Sequence, residues 1–134
     1  KTIDYLKIKW QDDFSDPLIW ADGSGVSRYN LLTPTVIVEA LQKTYSILGW
    51  EKITALFPAG GISGTILNYH KDASSPYVFA KTGTLKNNIS LSGFFIGKNN
   101  RIYVFSILVN NHTSSSEAVR EGIATLIRFF RKKY

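Results

Sequence analysis

Lys81, Thr82, Gly83 and Thr84 stand directly after a strand-like run in "YVFAKTGT". A lysine ammonium beside a threonine hydroxyl can bind a carboxylate through charge-assisted hydrogen bonds. Gly83 has no Cβ, so another chain can approach the backbone there and add to the strand as an extended peptide. The N–H of Thr84 can point at an oxyanion. Four consecutive residues therefore offer what is needed to hold the C-terminal end of a peptide. The plainer alternative is a lysine that snorkels off the core into water, since a three-residue match is common by chance. Strand parity predicts Tyr77, Phe79 and Lys81 on one face, with Val78, Ala80 and Thr82 on the other, so that Lys81 continues an aromatic row.

A second candidate is the loop "DGSGVSRYN". Asp22, Gly23, Ser24, Gly25, Ser27 and Arg28 either meet a ligand or shape their own backbone. In the structural role Asp and Ser bond neighbouring N–H groups, glycines take positive φ, and Arg28 pins the loop through a carboxylate or carbonyls. In "AGGISGT" the residues Gly60, Gly61, Gly64 and Thr65 resemble a phosphate loop, but no Lys-Ser/Thr follows to complete one. His70 and His112 lie far apart and the chain has no cysteine, so no metal site and no cofactor are expected. Asp12, Asp13 and Asp16 lack EF-hand spacing and read as a solvated loop. Asn88-Ile89-Ser90 and Asn111-His112-Thr113 match the glycosylation sequon, a tripeptide short enough to arise by chance.

The elements that must position these groups follow from periodicity. Residues 2 to 10 read as the tail of a helix, followed by a polar loop and a short strand before the Gly/Ser-rich turn. Thr33 and Pro34 predict a helix start, and Ile37, Leu41, Tyr45 and Leu48 recur at helical spacing until Gly49 closes the helix. "WEKITALFP" predicts a shorter helix stopped before Pro58, and "ILNYHKDASSP" a short helical turn and then loop. Strands are expected at about 77 to 82, 89 to 97 and 101 to 110, the last two joined through Asn99 and Asn100, which tolerate positive φ. "IYVFSILV" is apolar on both faces and reads as an interior strand. Ser114 and Glu117 predict a capping box for a final helix with Val119, Ile123, Leu126, Ile127 and Phe130 as its apolar stripe. Helices, an antiparallel meander and a returning helix make an α/β structure of the α+β type, a single domain over residues 1 to 134.

Hydrophobic residues at 44% and charged residues at 19% exclude a disordered chain. No apolar run approaches the roughly 20 residues that cross a bilayer. Net charge is +6, partly from "RFFRKKY" at the end. Scattered basic residues without a nucleic-acid-binding pattern fit a helix terminus whose cations complement its dipole, so no nucleic-acid partner is expected. The chain begins "KTIDYLKIKW", without an initiator methionine or a secretory h-region, and a cut fragment is the simpler expectation.

Three motifs in order, "DGSGVSRYN", "FPAGGISGT" and "FAKTGTL" followed by "SLSGFF" and "RIYVFSILVNN", span roughly residues 18 to 110. This succession resembles the penicillin-binding D-alanyl-D-alanine carboxypeptidases of the peptidase S13 group. The resemblance implies part of a β-lactamase/transpeptidase-like fold, with an antiparallel sheet and helices packed on it. It implies a serine acyl-enzyme acting on peptidoglycan stem peptides and binding β-lactams, in the periplasm or cell envelope of a bacterium, exported by a signal peptide not in this chain. Carried over, Lys81 would hold the substrate carboxylate and assist proton relay, Thr82 would contact the same carboxylate, Gly83 would allow close approach, and the Thr84 N–H would be one oxyanion donor. Ser-x-x-Lys and Ser-x-Asn, the other two motifs of the group, are absent: no serine here has a lysine three positions on or an asparagine two positions on. The chain is therefore expected to be a C-terminal fragment, inactive alone, whose remaining domain lies N-terminal to it. The alternative is a non-catalytic peptidoglycan-binding or interaction domain of the same fold.

Overall fold

The computed structural model describes Tyr5, residues 13–72 and residues 74–134. Asp12 and, Tyr5 excepted, the helix expected over residues 2 to 10 lie outside the described residues. Helix α1 runs Pro34–Leu56. Its start is the expected one: Thr33 is extended, its Oγ1 accepts from the Val36 N–H at 3.2 Å, and Pro34 fills the first helical position. The Thr33 hydroxyl also donates to Asp16 at 2.6 Å, which fixes the entry of the chain. Gly49, with φ 74° and ψ 168°, breaks the helical backbone as expected, and the second helical stretch continues across this kink to Leu56. The positive φ is what makes glycine the fitting residue there. A short 3₁₀ turn follows at Gly64–Ile66, slightly earlier than expected.

Strands β1 (Val78–Leu85), β2 (Asn88–Ile96) and β3 (Ile102–Asn110) form an antiparallel sheet in the order β1-β2-β3. Lys81 faces Ser92, Gly83 faces Ser90, and Ser92 in turn faces Ser106. Both hairpins turn on asparagines with positive φ, Asn87 at 62° and Asn100 at 60°. Opposite Ala80 stands Gly93, where a Cβ would lie 2.3 Å from the Phe79 carbonyl oxygen, so no side chain fits. Contrary to expectation, β3 is an edge strand among the described residues, half-exposed for most of its length, and β2 is the interior one. Apolarity on both faces of β3 reflects packing under helices on each side, and it carries no information about strand neighbours.

Each face of the sheet has its own core. On one, Phe94 meets Leu41 and Ile53 of α1, with Ile37, Trp50, Phe57 and Val104 around them. Five rings interlock there, Trp50 standing edge-on to Phe79 at 5.2 Å and Phe57 to Phe94 at 5.7 Å, with Tyr45 against Trp50 and Phe94. On the other face Val78, Ala80, Ile89, Leu91 and Phe95 pack against helix α2, Ser116–Lys133, through Ile123 and Ile127. Tyr77 belongs to this second core and not to the row of Phe79 and Lys81, because it precedes the strand and is held against His70 and beneath the Arg131 guanidinium, 3.7 Å from its ring centroid. The same guanidinium pairs with Asp72 and ties the end of α2 to the segment before β1. The cap of α2 is Ser115, whose hydroxyl accepts from Ala118 N–H at 3.2 Å; the expected Ser114–Glu117 box is one residue out of register, and Glu117 sits in the first turn. Leu126, assigned to the apolar stripe, is 42% exposed, while Ala124 takes the place on the buried face.

Truncating Phe94, 2% exposed and ringed by aromatics, removes the centre of the α1 core. Phe94→Ala is expected to cost about 3–5 kcal/mol in urea unfolding. Leu126→Ala should stay within about 0.5 kcal/mol. Equal losses at the two positions would contradict this assignment of core and surface.

Candidate functional site

Hydrogen bonding along β1 alternates. Tyr77 C=O accepts from Ile96 N–H at 2.8 Å, so the odd-numbered residues direct their backbone groups at β2. The even-numbered residues face the opposite way, outward from the sheet. The first two are covered: Gly60 N–H donates to Val78 C=O at 2.9 Å, and Ala80 N–H donates to Pro58 C=O at 3.0 Å. This rung comes from the loop after α1, where Ala59 bridges to Phe79. It stops at Ala80. Thr82 and Thr84 come next, with N–H and C=O groups turned to the open edge.

Lys81 sits beside this opening. Its side chain shares a face with Phe79, but the register shows an abrupt change of chemistry across that face. Phe79, Phe94 and Val104 form one row, and Lys81, Ser92 and Ser106 form the next, with Ser92 Oγ and Ser106 Oγ 2.9 Å apart. The lysine is exposed because the aromatic core under α1 ends one row earlier. Its ammonium turns to the edge and donates to the Thr82 carbonyl at 2.7 Å. A cation thus stands at an outward-facing acceptor of the strand, able to pair with an anion there.

The two threonines are held from the α2 face. Thr65 Oγ1, at the end of the "AGGISGT" loop, lies 2.7 Å from Thr82 Oγ1, and Arg120 Nη2 donates to Thr84 Oγ1 at 3.2 Å. Gly64, with φ 59°, makes the tight approach to Pro58 that brings Thr65 into reach. A Cβ on Gly83 would meet Ser90 Oγ at 2.4 Å, so the space that glycine leaves is taken by the neighbouring strand. A groove runs from Gly83, Thr84 and Leu85 past Ser90 to Leu108, with Gly25 as its far wall.

Gly25 belongs to the loop of residues 22 to 30, which is organised around Asp22. One carboxylate oxygen accepts from Gly25 N–H and Asn30 Nδ2 at 3.0 Å each, the other from Ser27 N–H at 3.2 Å. The Asn30 side chain is the first cause, with the backbone amides behind it, that keeps the Asp22 carboxyl below its ordinary range. Ser24 and Ser27 hydroxyls accept from Val26 and Tyr29 N–H groups within the loop. Gly23 stands in open space. Arg28 donates to the Lys86 carbonyl at 3.4 Å and so reaches the β1–β2 turn. These residues build a loop wall beside the end of β1; Lys81, Thr82, Gly83, Thr84 and Thr65 meet at the strand itself. Two contributors went unread in the sequence. Asn30 had a signal in its place at the end of the motif, but Arg120 lies in an amphipathic helix with nothing to distinguish it from other surface cations.

Beneath Thr82, on the α2 side, His70 is 6% exposed with φ 58°, and its Nδ1 has no partner among the described residues. Burial, aided by the charge of Arg128, pushes it down to about 4. The folded state thus binds fewer protons than the unfolded one between pH 6.5 and about 4, so stability from this group is full above pH 6.5 and is lost as pH falls through that window. The loss amounts to at most about 3–4 kcal/mol at about 1.4 kcal/mol per unit. His70→Asn, which keeps a residue tolerant of positive φ, is expected to flatten the pH dependence of urea unfolding across this window. An unchanged slope would show that His70 does not carry it.

The model of the D-Ala-D-Ala carboxypeptidase 3 (S13) family matches residues 14–133. The chain is 32% identical over 121 residues to the D-alanyl-D-alanine carboxypeptidase DacB of Haemophilus influenzae, covering 87% of this chain and 25% of that protein. It is 34% identical over 114 residues to a D-alanyl-D-alanine carboxypeptidase of an Actinomadura species, covering 80% of this chain and 21% of that one. The chain therefore spans about a quarter of the length of these relatives. The crystal structure of penicillin binding protein 4 (dacB) from Haemophilus influenzae superposes with a TM-score of 0.76 at 27% identity, over 97% of this chain and 31% of that one. The same protein complexed with a β-lactam gives 0.78 at 26% identity, over 96% and 31%. The α+β sheet with helices on both faces is the one expected from the motifs.

Proposed function

The chain belongs to the D-Ala-D-Ala carboxypeptidase 3 (S13) family, and on that premise we propose that it carries the peptide-holding strand of a serine-type D-Ala-D-Ala carboxypeptidase. The observation that supports this reading best is the half-covered edge of β1. Its rung ends at Ala80, and a lysine cation and two outward-facing threonine peptide units follow immediately. A peptidoglycan stem peptide ending in a free carboxylate adds to this edge as an extended segment. Its carboxylate meets the Lys81 ammonium and the Thr82 hydroxyl, and its scissile carbonyl oxygen accepts from the Thr84 N–H. Lys81 releases the Thr82 carbonyl as it does so, leaving that acceptor for a peptide N–H. Gly25 and Arg28 border the side of the groove that receives the rest of the stem.

The nucleophile is not within these residues, because Ser-x-x-Lys and Ser-x-Asn are both absent. In this reading residues 1–134 are the C-terminal fragment of one transpeptidase-like domain in a longer envelope protein. A serine from the remainder of that domain adds to the penultimate D-Ala carbonyl, its proton passing to a base. Collapse of the oxyanion breaks the peptide bond, the protonated terminal D-Ala leaves, and water hydrolyses the acyl-serine ester. A β-lactam occupying the same edge acylates the same serine through opening of its ring.

A fluorescent penicillin distinguishes the possibilities. This chain alone is expected to stay unlabelled, while the longer protein acylates and its Lys81→Ala variant acylates about 10²–10³-fold more slowly. Labelling of the isolated chain would place a nucleophile within it. No labelling of the longer protein would favour a non-catalytic peptidoglycan-binding domain.

A further inference from the structure

We infer that Arg120 is a positioning residue for the outward-facing amide of Thr84, an inference that rests on the reading of β1 as the peptide-holding strand. Thr84 has little support on its outer side. It is one residue from the end of β1, next to the Lys86–Asn87 turn, and the Pro58–Gly60 rung that steadies the outer edge has already ended at Ala80. Among the described residues no backbone group is bonded to its outer peptide group. What holds it is its side chain: Thr84 Oγ1 accepts from Arg120 Nη2 at 3.2 Å. Thr82, two residues earlier on the same face, is held in the same manner by Thr65. A β-branched side chain is stiff about χ1, so fixing Oγ1 fixes the residue's backbone and with it the direction of its N–H.

Arg120 is suited to this task. It projects from the second turn of α2, a helix capped by Ser115 and anchored in the core by Ile123, one turn further on. The planar guanidinium presents its donors at a fixed angle, which a lysine does not. Among the described residues Arg120 has no carboxylate partner; the neighbouring Glu121 lies 3.9 Å from Arg128 instead. With no carboxylate paired directly to it, its charge adds positive potential beneath the amide at which negative charge would develop. The contact lies on the α2 face, whereas the peptide adds at the edge, so Arg120 acts through Thr84 and not on the substrate.

Two measurements test this. In the longer protein, saturation kinetics with a fluorescent penicillin separate affinity from acylation rate. Arg120→Gln is expected to lower the acylation rate constant about tenfold at unchanged affinity, with Arg120→Lys restoring part of it. The double variant Arg120→Gln/Thr84→Val should be no slower than Thr84→Val alone. Additive losses, or a loss confined to affinity, would overturn the inference. In the present chain, the NMR order parameter of the Thr84 methyl should fall in Arg120→Gln while the urea midpoint is kept. A Thr84 methyl as rigid as before overturns it regardless of acylation. Absence of labelling in the unsubstituted longer protein would instead sink the underlying reading and leave the methyl result to decide the role of Arg120.

Discussion

The site depends on a single accounting of backbone hydrogen bonds along β1. A strand directs alternate peptide groups to its two sides, and β2 satisfies one set. The other set is satisfied only as far as Ala80, because the loop after α1 supplies two bonds and then turns into the 3₁₀ segment at Gly64–Ile66. Exposed strand edges are usually blunted by charge or by cover, since they invite pairing with another chain. Here the cover stops short, and the charge that follows belongs to Lys81. In the proposed function, the same residue that protects the edge from indiscriminate pairing selects an anion-bearing partner for it.

Everything around the strand serves to hold that short opening in shape. The aromatic core of Trp50, Phe57, Phe79 and Phe94 fixes one face and ends one row before Lys81, where serines replace rings. Burial of each such ring stabilises by a few kcal/mol, far more than any single polar contact at the edge. On the other face α2 and the "AGGISGT" loop reach the threonines through Arg120 and Thr65. Rigidity comes from the cores and direction from two hydrogen bonds.

Local chemistry was the legible part of the sequence. Thr33 before Pro34, Asn99-Asn100 between strands and the helical spacing of Ile123 and Ile127 each act within a few residues, and the structure has them as read. The motif around Lys81 lies on β1, as its strand-like lead-in suggests. What escaped was whatever depends on neighbours distant in sequence. An apolar β3 reads alike at an edge or in the interior, and Tyr77 follows parity only if the strand already includes it. Ser114 has Glu117 three residues on and Ser115 has only Ala118, yet the backbone geometry makes the second the cap. The polar row of Lys81, Ser92 and Ser106 exists only once the register is known, and Arg120 acquires meaning only when α2 is laid across the sheet.

The most direct test of the central claim is residue-resolved amide hydrogen exchange along β1 of this chain. Lys81 and Gly83, bonded to β2, and Ala80, bonded to Pro58, are expected to be protected, while Thr82 and Thr84 exchange orders of magnitude faster between them. Uniform protection from Phe79 through Thr84 would mean that the edge is already covered, and the opening on which this account rests would not exist.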